Sequence, residues 1–450
     1  MSLSPALARH EEKARRFAAA LQAGAGAVGL GKSTSNLFRD RDRGSARLVD
    51  AKDFNEVLRV EPSDGFVESE GMAPYATLVE RTLAHGVMPA VVPQLKSITL
   101  GGAAAGVGIE SSSFRYGLVH ESLLEFDVLT GSGDVVTCAP HGEHSDLFYG
   151  FPNSYGTLGY ALRLKAATVP VKPYVRLEHH RYADPERYFG ALASACDAKE
   201  ADFVDGVIFA PGELYLTAAA FADTAPYASD YTFERIYYRS IRERPEDYLS
   251  VLDYLWRWDT DWFWCSKNIG AQNPLMRRLL GRSRLNSVTY AKIMRWNSRW
   301  RLTRALDRLS GQHRESVIQD VDIPLARAPE FLEFFHREIG ILPIWVCPVR
   351  ARQSSHSFPL FPMKPDTLYV NFGFWDVVRR PAPFPNGHHN RLIERKVAEL
   401  GGIKSLYSDS YFERDEFWGI YNRPAYDALK RKYDPSGRFR DLYEKCVLRQ

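Results

Sequence analysis

Residues 97–113 read SITLGGAAAGVGIESSS, and four glycines (Gly101, Gly102, Gly106 and Gly108) fall within eight positions of that run, with alanines between them. So little side-chain bulk allows backbone to come within contact distance of a flat or extended ligand. A tight turn with close helix packing is the other reading of the same residues. Hydroxyls flank the glycines: Ser97 and Thr99 before them, Ser111, Ser112 and Ser113 after, with Ile109 and Glu110 between. The run follows an apolar stretch, Met88 to Val92, that stops at Pro93, which is the pattern of a buried strand. A second cluster, NSYGTLG at 153–159, lies about 50 residues further on and places Gly156, Thr157 and Gly159 at the mouth of another strand, Gly159 to Val169.

Around these clusters, short β signals alternate with helical ones. Tyr75 to His85 predicts a helix closed by Gly86, and Leu123–Leu129 with Asp134–Cys138 predicts a hairpin about Gly131 and Gly133. Further strands are expected at Val207–Phe209, Leu214–Ala218 and Leu368–Phe372, and helices at Pro329–Glu338 and Asp415–Tyr421. Strands mixed with helices in this way imply an α+β class. The chain divides into an N-terminal helix and glycine-rich lead-in (1–34), a strand-rich zone (35–170), a mixed zone (171–402) and a C-terminal segment (403–450).

Composition removes several classes. The 450 residues are 45% apolar and 25% charged, which is globular rather than disordered or fibrous. A formal net charge of +3 argues against a dedicated nucleic-acid binder. Five cysteines without C-x-x-C spacing suit a reducing compartment and no zinc ribbon. No metal site is expected: His141, Glu143 and His144 lack helical zinc spacing, and His388–His389 reads as a loop pair. Charges at Glu11, Glu12, Lys13, Arg15 and Arg16 interrupt any signal-like run, and no stretch is long enough to span a bilayer. A cytoplasmic protein is expected. Of the 58 basic residues 43 are arginine, an association with GC-rich bacterial genomes.

Two phosphate motifs overlap near the N-terminus. GAGAVG at 24–29 matches G-x-G-x-x-G, and GAVGLGKS at 26–33 matches the P-loop pattern. Both need a strand before and a helix after, and here the preceding segment is helical and the following one loop-like. A linker is one alternative. Another is an anion nest formed by the backbone of Lys32, Ser33, Thr34, Ser35 and Asn36, with the Lys32 cation beside it. Between Arg277 and Arg308 lie ten basic residues and one acid, with Trp296 and Trp300 among them. A solvated face, an anionic membrane surface and nucleic acid are its three readings, the last unsupported by any matching basic surface elsewhere.

Taken in order, these clusters resemble the flavin-binding oxidoreductases of the vanillyl-alcohol oxidase and p-cresol methylhydroxylase type, and within them the delta-24 sterol reductases and their bacterial relatives. The resemblance is carried by PQLKSITLGG (93–102), GVGIESSS (106–113), Tyr116-Gly117-Leu118, DLFY (146–149), GTLG (156–159), PIWVCP (343–348) and Phe417-Trp418. It implies a two-subdomain FAD-binding domain with an α+β substrate cap. It also implies an FAD held by Lys32 to Asn36, Ser97, Thr99, Gly101, Gly102, Gly106, Gly108, Ile109, Glu110, Ser111 to Ser113, Gly156, Thr157 and Gly159. Neither His nor Cys occurs between Gly31 and Arg47, so non-covalent FAD is expected. By the same resemblance Lys404 is the cation beside the flavin, and Tyr407, Tyr411 and Glu110 are candidates for the proton-transfer group. The implied activity is reduction or desaturation of a carbon–carbon double bond in a hydrophobic lipid, an acyl chain in a bacterium or else a sterol side chain. An unidentified electron donor or acceptor is required, and the enzyme would sit peripherally on the inner membrane through Arg277–Arg308. The alternatives are an FAD-dependent alcohol or lactone oxidase and a nucleotide-binding regulatory or NTPase protein.

Overall fold

The computed structural model describes residues 5–24, 26–33, 38–39, 46–198, 200–290, 292–293, 313–352 and 357–449. Helix α1 (Pro5–Gln22) buries His10, Ala14, Phe17 and Leu21, a stripe with the 3–4 residue spacing of one helical face. Its polar side is anchored too: His10 pairs with buried Glu70 at 2.9 Å, and the Lys13 ammonium lies 3.0 Å from both Glu56 and Glu70. The lead-in then forms strand β1 (Val28–Gly31), parallel to β2 (Arg47–Asp50). Strand thus replaces the linker reading of this segment. It also occupies the centre of the P-loop match, where that motif would need a phosphate loop opening a helix.

Next in the chain come β3 (Val57–Glu61), β4 (Phe66–Glu70), β5 (Val87–Pro89), β6 (Leu123–Leu129), β7 (Val135–Cys138) and β8 (Tyr160–Pro170). They form one antiparallel sheet in the order β3-β4-β8-β6-β7, with β5 paired to the end of β8. The strand expected over Met88–Val92 is shorter and earlier in the structure. Helix α2 (Tyr75–Leu83) buries Tyr75, Leu78, Val79 and Thr82, and Gly86 follows it at φ +72°, a conformation open to glycine at little cost.

After β8 the chain crosses into a second sheet over residues 171–173. Its strands are β9 (Tyr174–Tyr182), β10 (Phe203–Ala210), β11 (Glu213–Ala222), β12 (Glu246–Ser250), β13 (His313–Pro324), β14 (Ile344–Arg350), β15 (Leu368–Arg380) and β16 (Ile403–Lys404). They pair antiparallel in the order β12-β9-β11-β10-β14-β15-β13-β16. Helices Pro185–Ala198, Ala328–Glu338 and His388–Glu399 cover one face. Phe189, Leu192, Phe331, Phe335, Ile393 and Val397 join Val317, Val321, Phe372 and Phe374 in a core there. Period-two alternation leaves the other face of β13, with Asp320 and Asp322, turned away from those helices. The C-terminal helix Arg423–Tyr433 returns to the first sheet. There Leu429 fills the space left by Gly150, and Lys432 pairs with Asp146 at 2.8 Å.

His388 and His389, expected in a loop, instead begin the helix His388–Glu399. The Glu315 carboxylate on β13 accepts from the backbone N–H of His389 (3.1 Å) and of Asn390 (3.0 Å), and it meets the buried His389 ring at 2.9 Å. An anion at a helix N-terminus satisfies donors that have no partner within the helix.

One polar cluster links the two sheets. Arg257 donates to Glu110 at 2.8 Å and to Asp205 on β10 at 2.9 Å, with all three side chains at most 3% exposed. Trp345 Nε1 also donates to Asp205, at 3.2 Å, and the guanidinium lies 4.1 Å from the centre of the Tyr254 ring. Removing one member would strand an uncompensated charge, which costs about 3–5 kcal/mol for buried pairs. Arg257→Met is therefore expected to lower unfolding free energy by about that amount in a denaturant titration; a change of a few tenths would show the network to be incidental.

Candidate functional site

A cavity of about 610 Å³ lies where the two sheets and the β1–β2 ribbon meet. That falls within the usual range for small-molecule sites. The glycine run forms part of its wall as helix α3 (Leu100–Ala105), whose Thr99 side chain caps the helix by accepting from Gly102 N–H. The glycines serve two purposes. A Cβ on Gly101 would stand 2.7 Å from the Gly71 carbonyl oxygen, so this glycine permits backbone crossing. A Cβ on Gly102 would meet only Thr99 Oγ1, at 2.8 Å, and otherwise open space, whereas one on Gly106 would stand 2.8 Å from the Gly102 carbonyl oxygen and 3.3 Å from the Tyr155 ring. Gly102 thus leaves backbone exposed along the cavity, and Gly106 lines it while permitting a close backbone approach.

Of the residues expected from sequence, Lys32, Ser33, Ser97, Thr99, Gly101, Gly102, Gly106, Gly108, Ile109, Gly156, Gly159 and Tyr407 line this cavity together. Thr34, Ser35 and Asn36 lie outside the described residues. The others stand behind the wall. Glu110 is turned into the Arg257 pair, and burial pushes its carboxyl up against the opposing pull of that guanidinium. Ser111 donates to Glu110 Oε1 (2.7 Å), Ser112 donates to the Ala90 carbonyl (2.8 Å), and Ser113 Oγ accepts from Glu110 N–H (3.1 Å). Thr157 donates to the Ser154 carbonyl at 2.8 Å. Lys404 is off the cavity as well: its buried ammonium is held by Glu394 (2.8 Å), the Asp409 carbonyl (2.6 Å) and Ser410 (2.9 Å). Tyr411 packs nearby, its N–H directed to Glu394. The pairing with Glu394 neutralises Lys404 locally, and the geometry sends its charge away from the site for which sequence reasoning marked it.

Sequence reasoning missed the wall supplied by the second sheet and its connections. Trp375 and Asn371 on β15, Asp320 and Asp322 on β13, and Trp262 and Phe263 all line the cavity. Phe263 and Trp375 pack with ring centres 4.3 Å apart, and Trp375 Nε1 donates to the Tyr407 hydroxyl at 2.7 Å. Trp262 and Phe263 both have positive φ, +44° and +58°, an arrangement that costs of order 1–3 kcal/mol per residue and concentrates at functional sites. The signal available in sequence was weak. An Asp-x-Asp pair within the run VIQDVDI (317–323) reads equally well as the wet face of an ordinary strand.

The site's electrostatics are mixed. Lys32, Lys52, Arg440 and Lys445 contribute cations to the lining. Burial pushes Asp320 up to about 8, with hydrogen bonding to Tyr407 working against the rise and the Asp322 charge adding to it. Asp322 is pushed by burial up to about 7, against the hydrogen bond that Asn371 Nδ2 donates at 3.0 Å. Gln94 Nε2, Asp320 Oδ1 and Asn371 Oδ1 are buried and have no hydrogen-bond partner among the described residues. Unused donors and acceptors in one cavity, beside bare backbone, cations and aromatic rings, are what a large ligand with a phosphate-bearing part and a flat ring requires.

Comparison with known proteins supplies the ligand. Residues 6–139 match the family described as an FAD binding domain. The chain is also similar to the delta(24)-sterol reductase of Homo sapiens, 26% identical over 412 residues that cover 87% of this chain and 76% of that protein. The Rattus norvegicus protein of that name is 28% identical over 406 residues, with the same shares covered. That of Arabidopsis thaliana is 25% identical over 434 residues, covering 88% and 76%. The matched domain contains β1, Lys32 and the whole glycine run, so the cavity's residues fit FAD. A Gly102→Val substitution is expected to cut the FAD retained on purification at least about tenfold while the melting temperature stays near that of the parent. Gly101→Ala is expected to destabilise the fold by about 1–3 kcal/mol, because backbone rather than ligand stands in its way. Equal FAD content in Gly102→Val and the parent would make this wall structural only. The matched domain and the similar proteins agree: the chain carries an FAD-binding domain of the p-cresol methylhydroxylase type and is an FAD-dependent oxidoreductase.

Proposed function

We propose that this enzyme reduces an isolated carbon–carbon double bond in the aliphatic part of a hydrophobic lipid, an acyl chain bearing a methyl or methylene branch. The supporting observation is the make-up of the cavity: an aromatic wall of Trp262, Phe263, Trp375 and Tyr407 shares it with the glycine run. A sterol side chain presents the same chemistry to these residues, and the names of the sterol reductase relatives favour that second reading. When bound, FAD supplies a hydride to the substrate, and a hydride donor of the reduced-nicotinamide class restores it.

Each part of the chain has a role in this reading. Lys32, Ser33 and the exposed backbone of Gly102 hold the cofactor, with Lys445 and Arg440 adding positive charge. Residues 35–170 with α1 form the cofactor domain, 171–402 the substrate cap, and 403–450 the closing segment. The aromatic wall excludes water from the reacting carbons, and the Tyr407 hydroxyl, held by Trp375, orients groups at that wall.

Access to a membrane-borne substrate fits the helix Pro274–Leu280. Leu275 and Leu279 are 67% and 68% exposed, and Met276 is 40% exposed. Arginines lie on and beside it. Of these, Arg277 is buried against Asp261, while Arg278 and Arg282 stay at the surface, within 3.7 Å of Glu234 and 2.8 Å of Asp230 respectively. Arg284 and Lys292 are exposed as well, and the remainder, Arg295 to Arg308 with Trp296 and Trp300, lies outside the described residues. No helix among the described residues is long and apolar enough to cross a membrane, so the reading is surface attachment by apolar side chains with basic support.

Purified protein is expected to be yellow, to release FAD on acid or heat treatment without proteolysis, and, once reduced anaerobically, to be reoxidised by a branched alkenyl lipid that gains two hydrogens by mass spectrometry. Reoxidation by oxygen but by no alkenyl lipid would reject the reading. In vesicle co-sedimentation the parent is expected to pellet with anionic vesicles and to come off at high salt. Leu275→Asp combined with Leu279→Asp should remain in the supernatant; unchanged pelleting of that double variant would remove this helix from the membrane contact.

A further inference from the structure

We propose that Asp320 is the general acid of the double-bond reduction, delivering a proton from its carboxyl group to one alkene carbon, with Asp322 as the positioning residue that keeps it protonated. This rests on the double-bond reading above and adds to it the identity of the proton source.

Geometry carries the assignment. Asp320 and Asp322 are two residues apart on β13, so both side chains leave the same face of the strand, and both line the cavity. Opposite Asp320 in the register is Gly373, where a Cβ would come within 2.7 Å of Asp320 Oδ1 and 2.6 Å of the Trp375 ring. The bare backbone of Gly373 is thus the space into which the carboxyl and the indole fit. Opposite Asp322 is Asn371, whose amide donates to it. Asp322 is therefore engaged, whereas Asp320 Oδ1 has no partner among the described residues and stands in the same cavity as the aromatic wall.

The surroundings favour a neutral carboxyl. The titratable groups around Asp320 include Tyr407, which hydrogen-bonds it, Asp322, whose charge opposes its ionisation, and Tyr155, which feels its charge. From β15 come only the neutral Asn371 and Trp375. On the β16 side, the Ser405 N–H is used by the Asp320 backbone carbonyl rather than by its carboxylate. A carboxyl with like charge nearby and little hydration keeps its proton near neutral pH, as the elevated value near 8 expresses. Lys404, the nearest cation by strand pairing, joins β13 through its backbone opposite Val321 and spends its charge on Glu394.

The step balances as an addition of two hydrogens. The O–H bond of Asp320 breaks, the proton forms a C–H bond with the carbon that leaves the more substituted centre electron-poor, and the π pair is consumed. The hydride that reduced FAD supplies completes the other carbon. Asp320 is left as a carboxylate and recovers its proton from water once product leaves.

The test uses FAD-loaded parent, Asp320→Asn, Asp320→Glu and Asp322→Asn. In infrared difference spectra the parent is expected to show a protonated-carboxyl component that outlasts the titration of Asp322 near 7, disappears as pH rises through about 8 and is missing from Asp320→Asn. In anaerobic stopped flow with a branched alkenyl lipid, Asp320→Asn should slow reoxidation of the dithionite-reduced protein by about 100-fold or more, with Asp320→Glu partly restoring it. Asp322→Asn should shift the pH profile rather than abolish the rate. FAD content near the parent's shows that each variant has folded. A parent lacking the carboxyl band, or an Asp320→Asn variant reoxidised at the parent's rate, overturns the assignment. A parent that shows the band but reacts with no alkenyl lipid overturns the double-bond reading, and the acid assignment falls with it for a reason that the infrared result keeps distinct.

Discussion

A guanidinium with almost no solvent contact needs its counter-charges to be in place before the surrounding chain can pack. Arg257 meets that requirement with one carboxylate from each side of the cavity: Glu110 from the end of the glycine run and Asp205 from β10. The partners are 147 and 52 positions away in sequence, so the pairing holds only when both sheets have formed and met. The backbone follows, as Val204 N–H donates to the Ser111 carbonyl at 2.8 Å beside the same cluster. Satisfying one buried charge thereby sets where the glycine run stands relative to the second sheet, and the cavity is the space left between them. An apolar cluster of equal volume would bury as well, but it would not dictate which carboxylates must meet.

The small residues act within that frame. Gly71 and Gly101 let two backbone segments cross: a Cβ on Gly71 would fall 2.0 Å from the Ala161 carbonyl oxygen on β8, and one on Gly101 would strike Gly71 in turn. This stack presses the start of α3 against the sheet and leaves Gly102 and Gly106 facing the cavity. The same run of glycines therefore serves close packing on one side and ligand access on the other. Of the two readings that the sequence left open, the packing one applies at Gly101, and Gly102 has the open cavity wall that the ligand reading needs.

How much was legible follows from how local each signal is. The α1 stripe, the hairpin at 123–138, the helix at 75–83 and the glycine wall are encoded by spacing and by backbone sterics, and they appear where expected. Lys404 and Glu110 were singled out for their chemistry, but their side-chain directions depend on distant partners, Glu394 and Arg257, that no spacing reveals. The His388–His389 pair was misread because the carboxylate that starts its helix, Glu315, sits on another strand. Asp320 and Asp322 were passed over for a subtler reason. A strand with one polar face is ordinarily half wet, and only the tertiary structure turns that face toward a closed aromatic wall instead of solvent.

That closed wall also bears on the ionisation of the site. A carboxyl that lines a water-accessible cavity has its pKa raised less than one whose cavity is filled with hydrocarbon. In the proposed reading, a lipid chain entering beside Trp262, Phe263 and Trp375 would bring no cation or hydrogen-bond donor to offset the water it displaces, so desolvation of Asp320 and Asp322 would deepen on substrate binding. That would keep the carboxyl protonated while substrate is bound, at the cost of making it a weaker acid. An isolated double bond, unlike one conjugated to a carbonyl, has no electron sink of its own and depends on such a donor. On that proposal an uncharged substrate and a neutral acid would favour each other in the same cavity through the dielectric alone, without any direct contact to couple them.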